Sequence, residues 1–342
     1  MVSGCPVPRL GRAPICRSAV PESLTSDNLD WIAEATGAAS AGQGQHIQTL
    51  WGGYGELFRV ELAGASVTSA VVKWVKPPAR PRNVTDEISH ARKCRSYEVE
   101  TAWYRGLAAR CDETCRVASL LGVRSIGDEI MLVLEDLDAA RFSERCRAPR
   151  RHELELCLGW LASFHARFLG VEPRGLWPVG TYWHLATRPQ ELRAIDDQAL
   201  REAAPRLDAR LNGCTFQTLV HGDAKLANFC FTPQSTAVAA VDFQYVGGGC
   251  GIKDVAYLLT GDAGSEAAEQ RALDSYFRAL RTSLAMLGRT DPDIAAVERE
   301  WRALYPIACA DFYRFLAGWA KPHWHHDSHG QRLVRSVLRS LG

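Results

Sequence analysis

Apolar positions change period once along the chain, near residue 135, and that change divides it. Before it the apolar runs are short and β-branched. Gln45–Trp51 and Glu56–Leu62 read as two strands joined by the turn Gly52-Gly53-Tyr54-Gly55, and Ser69–Val75 (SAVVKWV) as a third strand, closed by Lys76-Pro77-Pro78. A helix is predicted from Asp86 to about Arg110, with Tyr97, Thr101 and Tyr104 stacked on one face and Glu100 beside it. Cys115–Val123 and Glu129–Leu134 give two more strands, and a short helix at Asp30–Thr36 precedes the whole set. After residue 135 the spacing is helical: His152–Leu169 repeats Leu154, Leu158, Leu161, Phe164 and Phe168, and Asp254–Leu259, Ala267–Met286 and Asp293–Trp319 continue in that style. Three short apolar runs, Phe216–Val220, Asn228–Phe231 and Ala237–Val241, interrupt it. The pattern predicts an α+β, bilobal chain: an N-terminal five-stranded antiparallel sheet with one main helix, then a mostly helical lobe.

The expected boundaries are 1–44 for an N-terminal extension with its short helix, 45–137 for the sheet lobe and its exit, and 138–342 for the helical lobe. A length of 342 residues suits two lobes with a cleft between them. A formal net charge of +1, from 40 basic and 39 acidic residues, supplies no broad field for nucleic acid or an anionic membrane. The 11 cysteines are scattered, and the close pair Cys111 and Cys115 has no second pair at zinc spacing, so they read as reduced thiols of a cytoplasmic protein. Residues 1–20 carry Arg9, Arg12 and Arg17 among prolines without the apolar core of a secretory signal; a transit peptide is the alternative. No run reaches the length of a membrane span.

The chemistry concentrates in His221-Gly222-Asp223-Ala224-Lys225-Leu226-Ala227-Asn228, which follows an apolar run and places a carboxylate and an amide five residues apart. That spacing matches a kinase catalytic loop, in which the aspartate orients the acceptor hydroxyl and takes its proton while the asparagine oxygen holds magnesium. Asp223 and Asn228 fit those roles by spacing. Lys225 can offset charge on a transferring phosphoryl group, or is a solvated loop lysine. Fourteen residues after Asn228, the run Ala239-Ala240-Val241 ends in Asp242-Phe243-Gln244, where a second magnesium ligand belongs. Upstream, Gly53, Tyr54 and Gly55 form a turn whose amides can approach ATP phosphates, although the same residues make an ordinary hairpin. Lys73 lies on the next strand, where it pairs with phosphates or points to solvent. Glu100 is the first choice for its helix partner and Glu98 the second; the two lie about 200° apart on a helix, so both cannot serve. Glu135, Asp136 and Leu137 form the connector expected to receive the adenine through the main chain. These parts predict a protein-kinase-like bilobal fold that uses ATP and Mg²⁺.

These residues resemble the aminoglycoside phosphotransferase and choline kinase superfamily, and within it the ecdysteroid-kinase-like (CHK kinase-like) branch. HGDAKLANF carries the family's H-G-D-x-x-x-x-N, Asp242–Gln244 its D-F-Q, and LVLEDL (Leu132–Leu137) its hinge. Ser96-Tyr97-Glu98-Val99-Glu100 with Trp103-Tyr104 resembles the E-x-x-x-Y helix of that branch, Leu161–Ala166 the helix before the loop, and Lys253–Leu259 its D-L-A-Y-x-L segment. The resemblance spans about residues 45–260 and implies phosphorylation of a hydroxyl on a small molecule such as an amino alcohol, aminoglycoside, sugar or steroid. One departure is Lys225, where the ecdysteroid-kinase-like loop has tryptophan. The family positions of His165 and His221 imply structural roles.

The resemblance also implies that the acceptor lies against the C-terminal helices, which puts Asp311, Trp319 and Trp324 forward as an acid and two rings for a cationic group. The competing reading is a helix with an aromatic core face. For the whole protein the alternative is a nucleotide-binding pseudokinase or scaffold. Protein kinase activity is disfavoured, since HGD stands for HRD, DFQ for DFG, and no A-P-E segment follows Asp242.

Overall fold

The computed structural model describes residues 23–79, 84–146, 148–260 and 265–341. The arginine-bearing segment at 1–20 lies outside these residues. The chain begins with α1 (Ser26–Thr36), capped by the Thr25 hydroxyl, which accepts from the Asn28 amide, and ended by Gly37 at φ +66°. Strands β1 (Ser40–Ala41), β2 (Gln45–Thr49), β3 (Gly55–Ala63) and β4 (Ser69–Val75) lead to the long helix α2 (Val84–Gly106). After the two-residue β5 (Arg116–Val117) come β6 (Leu120–Ile126) and β7 (Glu129–Glu135).

The sheet runs β1-β3-β4-β7-β6 with β2 also paired to β3, and every pair in it is antiparallel. It has six strands where five were expected, because Ser40–Ala41 is too short to show a period yet pairs with the end of β3. The run expected as one strand over Cys115–Val123 is divided. Its first part, β5, leaves for another sheet, and Ser119 closes the break by taking the Glu135 amide on its carbonyl and giving its own amide to the Glu135 carboxylate at 3.0 Å.

Alternation along β4 sets the two faces of the sheet. Ala70, Val72 and Trp74 join Phe58, Val60 and Ile32 of α1 in a buried layer, so Val71, Lys73 and Val75 must face the other way. Register places Lys73 opposite Leu57 and Leu132. At the start of β3, Gly55 has φ +135°, and a Cβ there would lie 2.0 Å from the Trp74 carbonyl oxygen. Gly55→Ala is expected to destabilise the protein by about 2–4 kcal/mol through strain and that clash, read as a lower denaturant midpoint.

The second lobe holds α3 (Arg151–Arg167), α4 (Pro189–Ala194), α5 (Gln198–Asn212), α6 (Ile252–Leu259), α7 (Glu266–Met286), α8 (Asp291–Trp319), α9 (Lys321–His326) and α10 (Ser328–Leu341). Helix α3 packs on α7, and α8 is the axis against which α4, α5, α6 and α10 lie. The interrupting apolar runs form β8 (Thr218–Val220), β9 (Phe229–Phe231) and β10 (Val238–Ala240), and β11 (Gly247–Gly249) follows. Strand β10 pairs antiparallel with β9 and parallel with β5, while β8 pairs with β11. These two small sheets hold up the loops that carry Asp223 and Asp242.

An aromatic column joins the lobes. Phe243 stacks on Trp103 of α2 with ring centroids 4.8 Å apart, touches the His221 ring at 4.6 Å, and continues to Trp160 and Phe164 of α3. All these rings are buried. Among the described residues no helix is long and apolar enough to cross a membrane.

Candidate active site

Between β8 and β9 the chain must turn sharply, and Gly222 makes the turn possible: its φ is +80°, and a Cβ would meet the Tyr245 carbonyl oxygen at 2.1 Å. The two amides freed by the turn, of His221 and Gly222, donate to the Asp254 carboxylate at 2.6 and 3.0 Å. Asp254 sits on α6 and is fully buried, with His165 as its third partner at 3.2 Å. His221 donates from Nε2 to the Val241 carbonyl at 3.0 Å and accepts the Asp223 amide on Nδ1 at 3.2 Å. Burial lowers its pKa, so the ring is neutral and works as a spacer between the two carboxylate-bearing loops.

Asp223 is held on all sides. Lys225 reaches its Oδ2 at 2.7 Å, the Asn228 amide nitrogen donates to the same oxygen at 3.0 Å, and the Tyr257 hydroxyl approaches Oδ1 at 3.3 Å. Burial lowers the Lys225 pKa, but Asp223 and Asp242 outweigh it and the net direction is up, so this ammonium stays charged. With its nitrogen bound to Asp223, Asn228 has its amide oxygen left for another partner.

Asp242 follows β10 at φ +68°, a conformation costly for an aspartate. Its Oδ1 is buried without a hydrogen-bond partner and lies 3.9 Å from the Lys73 ammonium. Burial raises the Asp242 pKa, yet Lys73, Lys225 and Lys93 together hold it below the usual carboxylate range. Lys73 in turn donates to Glu100 Oε2 at 2.6 Å, both side chains being buried. Burial lowers the Lys73 pKa and the two carboxylates raise it further, leaving it charged. Glu98 points outward and pairs with Arg95 at 3.0 Å.

A cavity of about 430 Å³ lies between the lobes and contains Lys73, Glu100, Asn228 and Asp242. Val71, Ala118 and Leu134 on one side and Cys230 and Val241 on the other give it an apolar slot. The connector residues Glu135, Asp136 and Leu137 form its edge, but the two acidic side chains are engaged elsewhere. Glu135 pairs with Arg116, whose hydrogen bond together with that of Ser119 outweighs burial and lowers its pKa; Asp136 accepts from Arg59 at 2.7 Å and Ser69 at 2.8 Å. The Glu135 amide is bound to Ser119, so main-chain contacts of the connector to a ligand fall on its other groups.

The glycine turn sits differently from the expectation. Gly53, Tyr54 and Gly55 do not line the cavity; Leu50 and Trp51 do. The Tyr54 ring is buried away from it, against Tyr97 and His90, with its hydroxyl 2.7 Å from His90 Nδ1. Gly55 is used for strand contact.

The three C-terminal residues are not brought together. Asp311 is 2% exposed and neutralised by Arg314 at 2.8 Å, with Trp183 donating to its other oxygen at 3.1 Å, so no oxygen is presented to a ligand. Trp324 is buried on α9 against Tyr313. Trp319 is 43% exposed and stacks on Phe315. The aromatic helix face is core packing. The partly open face beside Asp223 comes instead from Tyr182, Tyr245 and Tyr257, with Phe315 behind Tyr182 at 5.2 Å.

Three contributors went unassigned in the sequence reading. Asp254 and Tyr257 stand three apart on α6, one holding the loop and the other its aspartate. Lys93 lies in the cavity, its ammonium 2.7 Å from Gln244 Oε1 and 4.7 Å from the Tyr97 ring centre; burial pulls its pKa down to about 8.

A small sheet lobe over a helical one, with a lysine–glutamate pair facing carboxylates that follow short strands, is a kinase-like arrangement. The chain belongs to the phosphotransferase enzyme family, whose model matches residues 65–297. Among solved structures it is similar to an aminoglycoside phosphotransferase from Alicyclobacillus acidocaldarius, with 12% identity, 95% of this chain and 97% of that one covered, and a TM-score of 0.50. It is also similar to an aminoglycoside phosphotransferase from Streptomyces rimosus in complex with ADP and streptomycin (15% identity, 77% and 92% covered, TM-score 0.43). A choline kinase from Streptococcus pneumoniae gives 14% identity, 91% and 96% covered, and a TM-score of 0.42. At such identities the likeness is one of fold. No curated protein matches the sequence.

Proposed function

We propose that the protein transfers the γ-phosphoryl group of ATP, with magnesium, to a hydroxyl of a small molecule. The observation that carries this reading is the buried Oδ1 of Asp242, which has no hydrogen-bond partner and only the Lys73 ammonium 3.9 Å away, held at positive φ in the cavity that also contains the Lys73–Glu100 pair. A buried oxygen left without a hydrogen bond costs about 1–3 kcal/mol, and a cation bound there would satisfy it. Asp242 and the Asn228 oxygen suit magnesium, which takes few protein ligands and completes its shell with phosphate oxygens and water. When bound, magnesium screens charge on the phosphates.

In this reading the apolar slot takes the adenine, the connector its edge, and Lys73, fixed by Glu100, the phosphates. Asp223 orients the acceptor hydroxyl toward the γ-phosphorus; the new O–P bond forms as the bond to the β-phosphate bridge breaks, the hydroxyl proton passes to Asp223, and ADP leaves. Lys225 and Tyr257 fix the carboxylate for that task, and Lys225 adds positive charge near the transferring group. The acceptor lies against Tyr182, Tyr245 and Tyr257 in place of Asp311 and Trp324. The family match does not reach the ecdysteroid-kinase-like branch, so amino alcohols, aminoglycosides, sugars and hydroxysteroids all belong in the trial set.

The test is ADP release with Mg-ATP across that set. Turnover of at least one alcohol supports the assignment, and ATP binding without turnover of any would favour a scaffold. Lys73→Met is expected to lower kcat/KM for ATP by about 10²-fold, since it removes a charged phosphate contact and strands Glu100. An unchanged ATP response would remove Lys73 from the site.

A further inference from the structure

Lys73 and Lys93 line the cavity, and Lys225 adds its charge near Asp242; two of the three are already paired. Lys73 is bound to Glu100 at 2.6 Å and Lys225 to Asp223 at 2.7 Å. Lys93 differs. Its ammonium rests on the face of Tyr97 and donates to the neutral amide oxygen of Gln244, and none of the described carboxylates pairs with it. An ammonium has three donors, and Gln244 takes one. Gln244 is itself fixed: its side-chain oxygen also accepts from Ser96 at 3.1 Å, and Trp177 donates to its carbonyl at 2.8 Å. Lys93 therefore holds a positive charge without a salt bridge, felt by Asp242 and positioned by the residue two places after it, within the cavity that Asp242 shares.

The roof of the cavity gives this charge a purpose. The turn before β3 sends Tyr54 inward to His90 and uses Gly55 against the Trp74 carbonyl, so Leu50 and Trp51, not a run of glycine amides, stand over the cavity. Phosphates entering there need a donor from elsewhere, and α2 supplies one. We infer that Lys93 is a phosphate-binding residue of the nucleotide site, donating to the terminal phosphate oxygens of ATP. The inference rests on the proposed nucleotide reading of the cavity.

The test measures affinities of ATP and adenosine, by calorimetry, for the full chain and for Lys93→Met, Lys93→Gln and Lys93→Arg. Lys93→Met and Lys93→Gln are expected to weaken ATP by about 10- to 100-fold, the range of a charge-assisted hydrogen bond, while adenosine binding shifts less than about twofold. Lys93→Arg should recover most of the ATP affinity. A residue that only supports the fold would weaken both ligands together, and an unchanged ATP-to-adenosine ratio in a folded neutral variant overturns the assignment of Lys93 alone. Failure of the unaltered protein to bind either ligand would overturn the nucleotide reading as well. Thermal unfolding of each variant shows which neutral substitution is folded, and the folded one decides.

Discussion

Asp223→Asn is expected to lower kcat for the accepted alcohol by about 10²–10⁴-fold, the range spanned by a positioned general base. ATP affinity should stay close to that of the unaltered protein, because Lys73, Glu100 and the apolar slot are untouched. The loss has two sources. An amide takes no proton at the moment of attack, and it also disturbs the cage: Lys225, Asn228 and Tyr257 all approach the carboxylate as donors, and an amide offers them one oxygen and one NH₂. Steady-state kinetics with varied acceptor, alongside nucleotide titration, separates the chemical step from binding. Full turnover in this variant would remove Asp223 as the base.

Asp254→Ala should have the largest effect on stability. Its side chain satisfies the His221 and Gly222 amides and His165, all buried, and truncation leaves the three donors without that acceptor. The expected cost is about 3–5 kcal/mol, the size seen when a buried charged partner is removed. Asp254→Asn keeps one oxygen and should lose less. The check is the denaturant midpoint with kcat measured on the folded fraction; a midpoint equal to that of the parent would show the catalytic loop to be held by other means. Loss of kcat should exceed what unfolding explains, because the turn that aims Asp223 depends on the same two amides.

The parts of the site that lie along single strands and loops were legible from residue order. The spacing of Asp223, Asn228 and Asp242 reflects local geometry: a loop between β8 and β9, then a strand end. Lys73 was put forward by the order of glycine turn, lysine strand and glutamate helix, and the alternation of β4 puts its side chain on the face opposite Val72 and Trp74. Glu100 was ranked over Glu98 by its place beside the Tyr97 face of α2, a ranking the resemblance supported, and three-dimensional contact gives Lys73 to Glu100 and Arg95 to Glu98. The C-terminal triad misled because an acidic side chain among aromatic rings reads the same whether it awaits a cation or is already paired, and the Arg314 that neutralises Asp311 lies only three residues on. Lys93 left a faint signal. It stands at i, with Tyr97 at i+4 and Glu100 at i+7, on one face of α2. The segment from 170 to 215, which contributes Tyr182 and two helices, has no long period of its own and takes its shape from packing on α8.

The aromatic column has a consequence for motion. Helix α2 carries Glu100 and Lys93, and it is tied to the helical lobe by the Trp103–Phe243 stack, by Lys93 and Ser96 on Gln244, by Arg92 on the Thr187 carbonyl and by Arg95 on the Gly175 carbonyl. Swinging the helix outward would break these contacts together with the Lys73 pair. An opening that keeps these contacts would move the strands and their turn over a fixed helix. If the proposed phosphoryl transfer holds, a chain arranged in this way has its Lys73–Glu100 pair already formed and needs no inward swing of α2 before turnover.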